Sequence, residues 1–183
     1  MRVISGSKRR LLLDTPEGMG TRPTQDRIKE TLFNMIGPDI YDSVFLDLFA
    51  GSGQMGIEAL SRGAMEAVFV EQDKNAAAIV SKNLQKCNFD QPVSLMKDDV
   101  FVALSKIKGH RPFDIIFMDP PYDHLLEKRV LEALKDMDCV SEDTLIIVEA
   151  SLDTDFSYTD SLGYTIIKEK TYKTNKHVFV MRK

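Results

Sequence analysis

Residues 44–56, VFLDLFAGSGQMG, decide the fold. Val44, Phe45, Leu46, Leu48 and Phe49 form a nearly continuous apolar run, as expected of a strand buried on both faces of a parallel sheet. The run enters a glycine-rich turn, after which Met55, Ile57 and Leu60 share one side of a helix beginning near Gln54. Strand, glycine turn, helix is how an α/β sheet builds a nucleotide site at the carboxyl end of its first strand. Gly51, Gly53 and Gly56 satisfy G-x-G-x-x-G, which alone suits NAD as readily as another nucleotide. Asp47, at the end of the strand, tips the balance. A half-buried carboxylate there would repel a pyrophosphate and attract a cationic ligand. S-adenosylmethionine is adenosine with a sulfonium and an ammonium and no phosphate, so it is the favoured cofactor. The competing explanation is that Asp47 merely closes the turn through its own backbone.

Strands and helices alternate from there. Ala67–Glu71 reads as the second strand. Glu71 stands about 20 residues after the glycines, where such folds hold a ribose through its hydroxyls. Asp73 caps a helix through Cys87 with Ala76, Ile79, Val80 and Leu84 inward. Val93–Met96 is a third strand, followed by Asp98 and Asp99. An acid there either accepts from an adenine amino group or caps the helix read over 101–107. Phe113–Met118 is a fourth, fully buried strand, followed by a helix over 125–137 and a strand over 144–148. Strands over 165–170 and 177–180, joined near Thr174 and Asn175, close a mostly parallel sheet with an antiparallel edge. Ahead of the sheet, residues 2–13 suggest a hairpin with a basic turn at Lys8, Arg9 and Arg10. Thr24 is a good N-cap for a helix marked by Ile28, Leu32, Met35 and Ile36, which Gly37 and Pro38 end. Residues 1–37 thus form an extension of a single domain spanning 1–183, placed to act as a lid or substrate platform.

The bulk composition narrows the class. A chain of 183 residues, 43% hydrophobic and 28% charged, builds one sizeable core. No apolar run approaches the roughly 20 residues that span a bilayer, and MRVISGSKRR lacks the apolar core of a secretory signal. Cys87 and Cys139 form no C-x-x-C pair and read as thiols of a reducing compartment, so a cytoplasmic location is expected. No His/Cys cluster has metal-ligand spacing, and His110, His124 and His177 stand alone in sequence. The net charge is −4, unevenly spread. Residues 1–36 hold seven Lys/Arg against four Asp/Glu, and residues 164–183 hold six against one, leaving an acidic middle. If the ends meet near the cofactor edge they form a basic face for nucleic acid; otherwise they are solvated lysines.

The sharpest motif is Asp119-Pro120-Pro121-Tyr122, at the end of the fourth strand. Two prolines fix φ twice and remove two donors, so the turn is rigid and its carbonyls are free to accept. Asp119 adds a side-chain acceptor, and the Tyr122 ring offers a base a stacking face worth roughly 1–3 kcal/mol. An exocyclic amine of adenine, cytosine or guanine needs this arrangement, because its lone pair is delocalised into the ring. Acceptors on both hydrogens favour the pyramidal geometry that frees the lone pair. The methyl donor's sulfonium is already a good leaving group, so positioning and electrostatics suffice without metal or covalent intermediate. C5-pyrimidine methylation would need a cysteine nucleophile, and neither cysteine falls on this edge.

Together these residues resemble the amine-directed S-adenosylmethionine methyltransferases, and more narrowly the RsmD family. The segments MRVISG, GMGTRPTQDRIKETLFNMI, DLFAGSGQMGIEALSRGA, FVEQD and DPPY follow that family's order, and GTRPT-DR-KE-LFN is the specific block. The resemblance implies a seven-stranded, Rossmann-like class I methyltransferase fold. It also implies methylation of the exocyclic N2 of a guanine in small-subunit (16S) ribosomal RNA; the expected partner is that RNA, free or in an assembling subunit, and the expected working unit is a monomer. It assigns the cofactor to Asp47, Phe49, Ala50, Gly51, Ser52, Gly53, Glu71, Gln72, Asp99 and Val100. The chemistry falls to Asp119, Pro120, Pro121 and Tyr122. RNA contacts fall to Arg22 and the basic N-terminus with Lys8, Arg9 and Arg10, to which the charge distribution adds Lys173 and Lys176 of the basic C-terminal end. Two departures stand out: Gln54-Met55 replaces smaller residues, and YKTNKH near the C-terminus is only loosely similar. The nearest rival is an adenine- or cytosine-amine methyltransferase of DNA or another RNA, although 183 residues leave little room for a target-recognition domain. A non-catalytic assembly factor on the same fold is disfavoured by the intact DPPY turn, and an NAD dehydrogenase by Asp47.

Overall fold

The chain folds into β1 (Val44–Asp47), β2 (Glu66–Val70), β3 (Val93–Met96), β4 (Ile115–Met118), β5 (Leu145–Ser151), β6 (Tyr164–Thr171) and β7 (Asn175–Arg182). Five α-helices accompany them: α1 (Pro23–Ile36), α2 (Gln54–Ser61), α3 (Lys74–Cys87), α4 (Val100–Lys106) and α5 (Leu126–Leu134). The computed structural model describes residues 1–16, 23–121 and 125–183. The strands form one sheet in the order β3-β2-β1-β4-β5-β7-β6. The first five run parallel, and β7 pairs antiparallel with both β5 and β6. Burial explains why β7 rather than β6 sits inside. Val178, Phe179 and Val180 are buried against β5, whereas β6 is exposed beyond Tyr164 and carries its lysines on the open edge.

The chain runs outward from β1 through β2 to β3, then returns to place β4 on the other side of β1. The crevice beyond the carboxyl ends of β1 and β4 is therefore the switch point where such sheets bind ligands. Apolar layers cover both faces. On one, Leu104 of α4 and Val130, Leu131 and Leu134 of α5 pack with Leu46, Ile116 and Met118. On the other, Leu32 and Phe33 of α1, Ile57 and Leu60 of α2 and Val80 of α3 pack with Phe45, Phe69 and Ile115. A Cβ at Gly56 would lie 2.3 Å from the Phe69 ring, so only glycine lets α2 rest this closely on β2.

The N-terminal arm is tied down by a buried charge network. Glu58 of α2 is fully buried. Its carboxylate accepts from the N–H groups of Ile4 (2.8 Å) and Ser5 (3.0 Å) and from Arg62 Nε (2.8 Å), with Lys29 Nζ of α1 at 3.5 Å. Burial lowers the Lys29 pKa, opposed by the charges of Glu58 and Asp26. Gly6 has φ +82°, and a Cβ there would overlap the Ser61 carbonyl at 1.6 Å, so the arm lies directly on the end of α2.

The hairpin read over 2–13 is present, with antiparallel bonds (Val3 N–H to the Leu11 carbonyl, 2.9 Å) and one ladder bridge, Arg2 with Leu12, beyond which Glu58 takes the Ile4 and Ser5 donors. Three other expectations need correction. Helix α1 takes in Pro23, one residue before the expected Thr24 cap; the fixed proline φ suits a first helical position. Helix α5 is shorter than 125–137, since Leu125 adopts a left-handed φ of +48° and the helix ends at Leu134. The basic ends do not meet. Lys8 Nζ donates to the carbonyl of Asn88 (3.3 Å), the C-cap of α3, and Ser7 N–H donates to Ser61 (2.7 Å). Helix carboxyl ends lie at the starts of the parallel strands, so the Lys8–Arg10 turn sits opposite the cofactor edge. Lys173 lies in the β6–β7 turn, beside the carboxyl end of β5.

Candidate active site

A cavity of about 550 Å³ opens at the switch point. Its walls come from the glycine turn (Phe49, Ala50, Gly51, Ser52), the end of β2 (Glu71, Gln72), the start of α4 (Asp98, Asp99, Val100) and the end of β4 (Asp119, Pro120, Pro121). Glu149 at the end of β5, and Met1, Thr15, Pro16 and Gln25 of the N-terminal extension, also line it, as do Gln54 and Met55 at the start of α2. Of the sequence-assigned residues, Asp47 and Gly53 lie behind this wall. Tyr122 and Arg22 fall outside the described residues, as does His124.

Each wall group has a local cause. Gly51, at φ +56°, turns the backbone so that its N–H donates to Glu71 Oε2 at 2.8 Å, and a Cβ there would meet nothing within 4 Å. Asp73 N–H holds the other Glu71 oxygen at 2.8 Å. A carboxylate has about four acceptor positions, so Glu71 is fixed yet retains capacity for two hydroxyls. Asp99 caps α4 by accepting from Phe101 N–H (2.9 Å) while lining the cavity, so capping and an amine-accepting role are compatible. Asp98 is paired with Lys106 at 2.7 Å.

Asp47 is 1% exposed. One oxygen accepts from Gly56 N–H at 3.3 Å, and the other has no partner among the described residues. Burial raises its pKa to about 7, with the Glu71 charge adding and the Gly56 and Phe49 N–H groups opposing. Asp47 therefore braces the glycine turn and the start of α2 from beneath. Asp119 opens to the cavity, yet its surroundings raise its pKa well above the usual carboxylate range, chiefly through desolvation and then through the charges of Glu149 and Asp47.

Glu149 and His177 also belong to this site, although no sequence motif marks them. The Glu149 carboxylate accepts from Asn175 Nδ2 and from His177 Nε2 (3.0 Å), and Tyr172 Oη lies 3.3 Å from His177 Nδ1. A carboxylate only accepts, so the Nε2 hydrogen points at Glu149. The available signal was an acid directly after the apolar run 145–148, beside the DPPY strand. His177 looked solitary because its partner is 28 residues away. His110 is structural, stacked on Phe113 and bonded to Glu66. No group of metal-ligating residues occurs among the described residues, and no described helix is long and apolar enough to cross a membrane. Both cysteines are buried and free.

The residues fit S-adenosylmethionine. Glu71 offers acceptors to a ribose, Asp99 one to an adenine amine, and the cavity volume suits a nucleoside-sized ligand. The acids that line the cavity, Glu71, Asp98, Asp99 and Glu149, favour a positively charged ligand over a negative one.

Comparison with known proteins agrees. The family model described as Conserved hypothetical protein 95 matches residues 1–181. The Bacillus subtilis protein YlbH is 39% identical over 171 residues, covering 93% of this chain and 92% of the relative. Ribosomal RNA small subunit methyltransferase D of Haemophilus influenzae is 38% identical over 173 residues, covering 93% and 88%. The structure of Escherichia coli yhhF superposes with a TM-score of 0.84 at 31% identity, covering 100% of this chain and 98% of the other.

Proposed function

The chain belongs to the Conserved hypothetical protein 95 family, and on that premise we propose that it methylates the exocyclic N2 amine of a guanine in small-subunit ribosomal RNA. The observation that carries this reading is the common wall shared by Asp119, the Pro120–Pro121 turn, Glu71 and the glycine turn. One cavity then holds both a nucleoside cofactor and a planar amine. The ribosomal substrate is supported by the name of the Haemophilus relative.

S-adenosylmethionine, when bound, supplies an electrophilic methyl carbon whose sulfur leaves as a neutral thioether with the bonding electron pair. The chain supplies position and charge. Glu71 and Asp99 fix the nucleoside. Asp119 and the Pro120 carbonyl accept the two amine hydrogens, which localises the nitrogen lone pair toward the incoming methyl carbon. As the carbon–nitrogen bond forms the nitrogen becomes cationic, and the Asp119 carboxylate stabilises that charge and takes the released proton. Asp119 must be ionised to do this, so its raised pKa implies a rate that climbs with pH to a plateau. A duplex hides the amine, so the guanine enters unpaired or flipped, with Tyr122 as its stacking partner. The working unit is a monomer acting on free RNA or an assembling subunit, with Lys173, in the β6–β7 turn, a basic residue on the cofactor edge that can meet its phosphates.

The test is mass mapping of methylated nucleotides in small-subunit ribosomal RNA from a strain lacking the gene. One N2-methylguanine should disappear and return with the wild-type gene. Asp119→Ala should restore it poorly, with kcat lowered about 10²-fold or more, as for loss of one oxyanion-type contact. A methyl group lost from adenine or cytosine instead would favour the rival specificity.

A further inference from the structure

We propose that Glu149 is the residue that selects guanine, accepting the base's N1–H beside the amine held by Asp119. The inference rests on the guanine-N2 reading above and concerns the same cavity. Met118 pairs with Val148 in the parallel register, so Asp119 and Glu149 are the next residues of adjacent strands and project side by side into the cavity. Guanine's edge presents three hydrogens in a row, one on N1 and two on N2. Adenine and cytosine also carry an amine, but beside it stands a ring nitrogen with a lone pair. An acceptor for the amine alone serves all three bases. A second carboxylate next to it attracts N1–H of guanine and repels the lone pair of the other two. A site built around a hydrogen bond rejects analogues that lack the hydrogen far more strongly than shape alone does.

The surroundings of Glu149 are those of a fixed carboxylate. Its side chain is 20% exposed, and both oxygens are held from the β7 side by Asn175 Nδ2 and His177 Nε2. The antiparallel register sets His177 directly opposite Glu149 and Asn175 opposite Ser151. His177 is 1% exposed and Asn175 is 6% exposed. The Asn175 side-chain oxygen Oδ1 is buried without a partner among the described residues, so the hydrogen bond this amide makes is the one its Nδ2 donates to Glu149. The remaining acceptor positions of Glu149 are directed away from β7, toward the cavity. Asn175 and His177 are thus positioning residues, and Glu149 makes the contact.

The probe is 2-aminopurine, which keeps the N2 amine and has a lone pair at N1. Ribosomal RNA is ligated to carry guanine or 2-aminopurine at the nucleotide mapped above, and kcat/KM is measured for both. The wild-type protein should prefer guanine by about 10²-fold or more. In Glu149→Gln the amide can present N–H to a lone pair, so the preference should fall at least about tenfold, with guanine slowed and 2-aminopurine spared or improved. 2-Aminopurine also lacks O6, so the change in the ratio, not the ratio itself, reports on Glu149. Melting temperature and S-adenosylhomocysteine affinity of the variant report on the fold. Equal losses on both substrates, with the ratio intact, would reduce Glu149 to a structural role. A wild-type ratio near one overturns the proposal without any variant. If the wild-type protein leaves the mapped guanine unmethylated, the guanine-N2 reading itself fails.

Discussion

Asp47 lies in a place where burial and charge conflict. Its pKa stands near 7 in the folded chain against an ordinary 3.8. Between those values the native state keeps a proton that the unfolded chain has lost, so stability falls as pH rises from about 4 to about 7. Asp47→Asn is neutral throughout. Its melting temperature relative to wild type should therefore rise with pH over that window and level off above it. Calorimetry at pH 4, 5.5 and 7 checks this, and a difference constant with pH would mean that folding leaves the Asp47 pKa where the unfolded chain has it. The sequence placed an acid at the end of β1, because an apolar run followed by a glycine turn leaves it nowhere else to go. It could not show on which side of the cavity wall the carboxyl would fall. Attraction to a cationic ligand holds on either side, and only the packing of α2 on β2 through Gly56 puts Asp47 beneath the turn.

At the scale of elements, the N-terminal arm, α1 and α2 are joined through one carboxylate. Glu58 holds two backbone donors of the arm, Arg62 of its own helix and Lys29 of α1, all at a position with no exposure. Glu58→Ala would leave Lys29 buried with only the weaker charge of Asp26 and the Ile4 and Ser5 N–H groups unpaired. Removing one partner of a buried pair costs about 3–5 kcal/mol. Urea unfolding should show a loss in that range, and hydrogen exchange should quicken at Ile4 and Ser5. A loss below about 1 kcal/mol would mean the arm is held by its other contacts, the burial of Val3 and Leu13 and the bonds of residues 5–8 to Ser61. This staple was illegible because Glu58 occurs in an ordinary helical stretch, QMGIEALS, where an acid normally faces solvent. The strand–helix alternation was legible for the opposite reason. Runs such as FDIIFM and the Asp73 cap carry local signals that tertiary packing reinforces, and Asp73 does accept from the Asn75 and Ala76 N–H groups. The pairing of Glu149 with His177 had no such local mark, since antiparallel register alone brings them together.

The molecule as a whole separates its basic residues into two regions that a linear count had merged. Lys173 lies by the cavity edge, whereas Arg9 and Arg10 project from a turn held against the carboxyl ends of α2 and α3. Lys176 is mostly covered, over the Phe156 ring and 3.7 Å from Glu169, so it has little to offer a phosphate. A four-residue strand alone spans about 13 Å, more than the roughly 8 Å over which physiological salt screens exposed charges. The two regions therefore act independently on any RNA too short to reach both. With a short single-stranded RNA engaged at the cavity, Lys173→Gln should flatten the log–log salt dependence of affinity by about 0.7, one released counterion's worth for a single strand. Replacing Arg9 and Arg10 together by Gln should leave that slope unchanged. With folded small-subunit ribosomal RNA, wide enough to pass from one edge of the sheet to the other, the Arg9/Arg10 double variant should also flatten the slope. Filter binding over a salt series with both RNAs, for the wild type and both variants, reads these slopes. If the double variant alters the short RNA as much as the folded one, the arm must reach the cavity edge in the complex, and the separation seen in the free protein does not govern RNA binding. If it alters neither, the basic turn is a solvated surface, and the RNA is held at the cofactor edge alone.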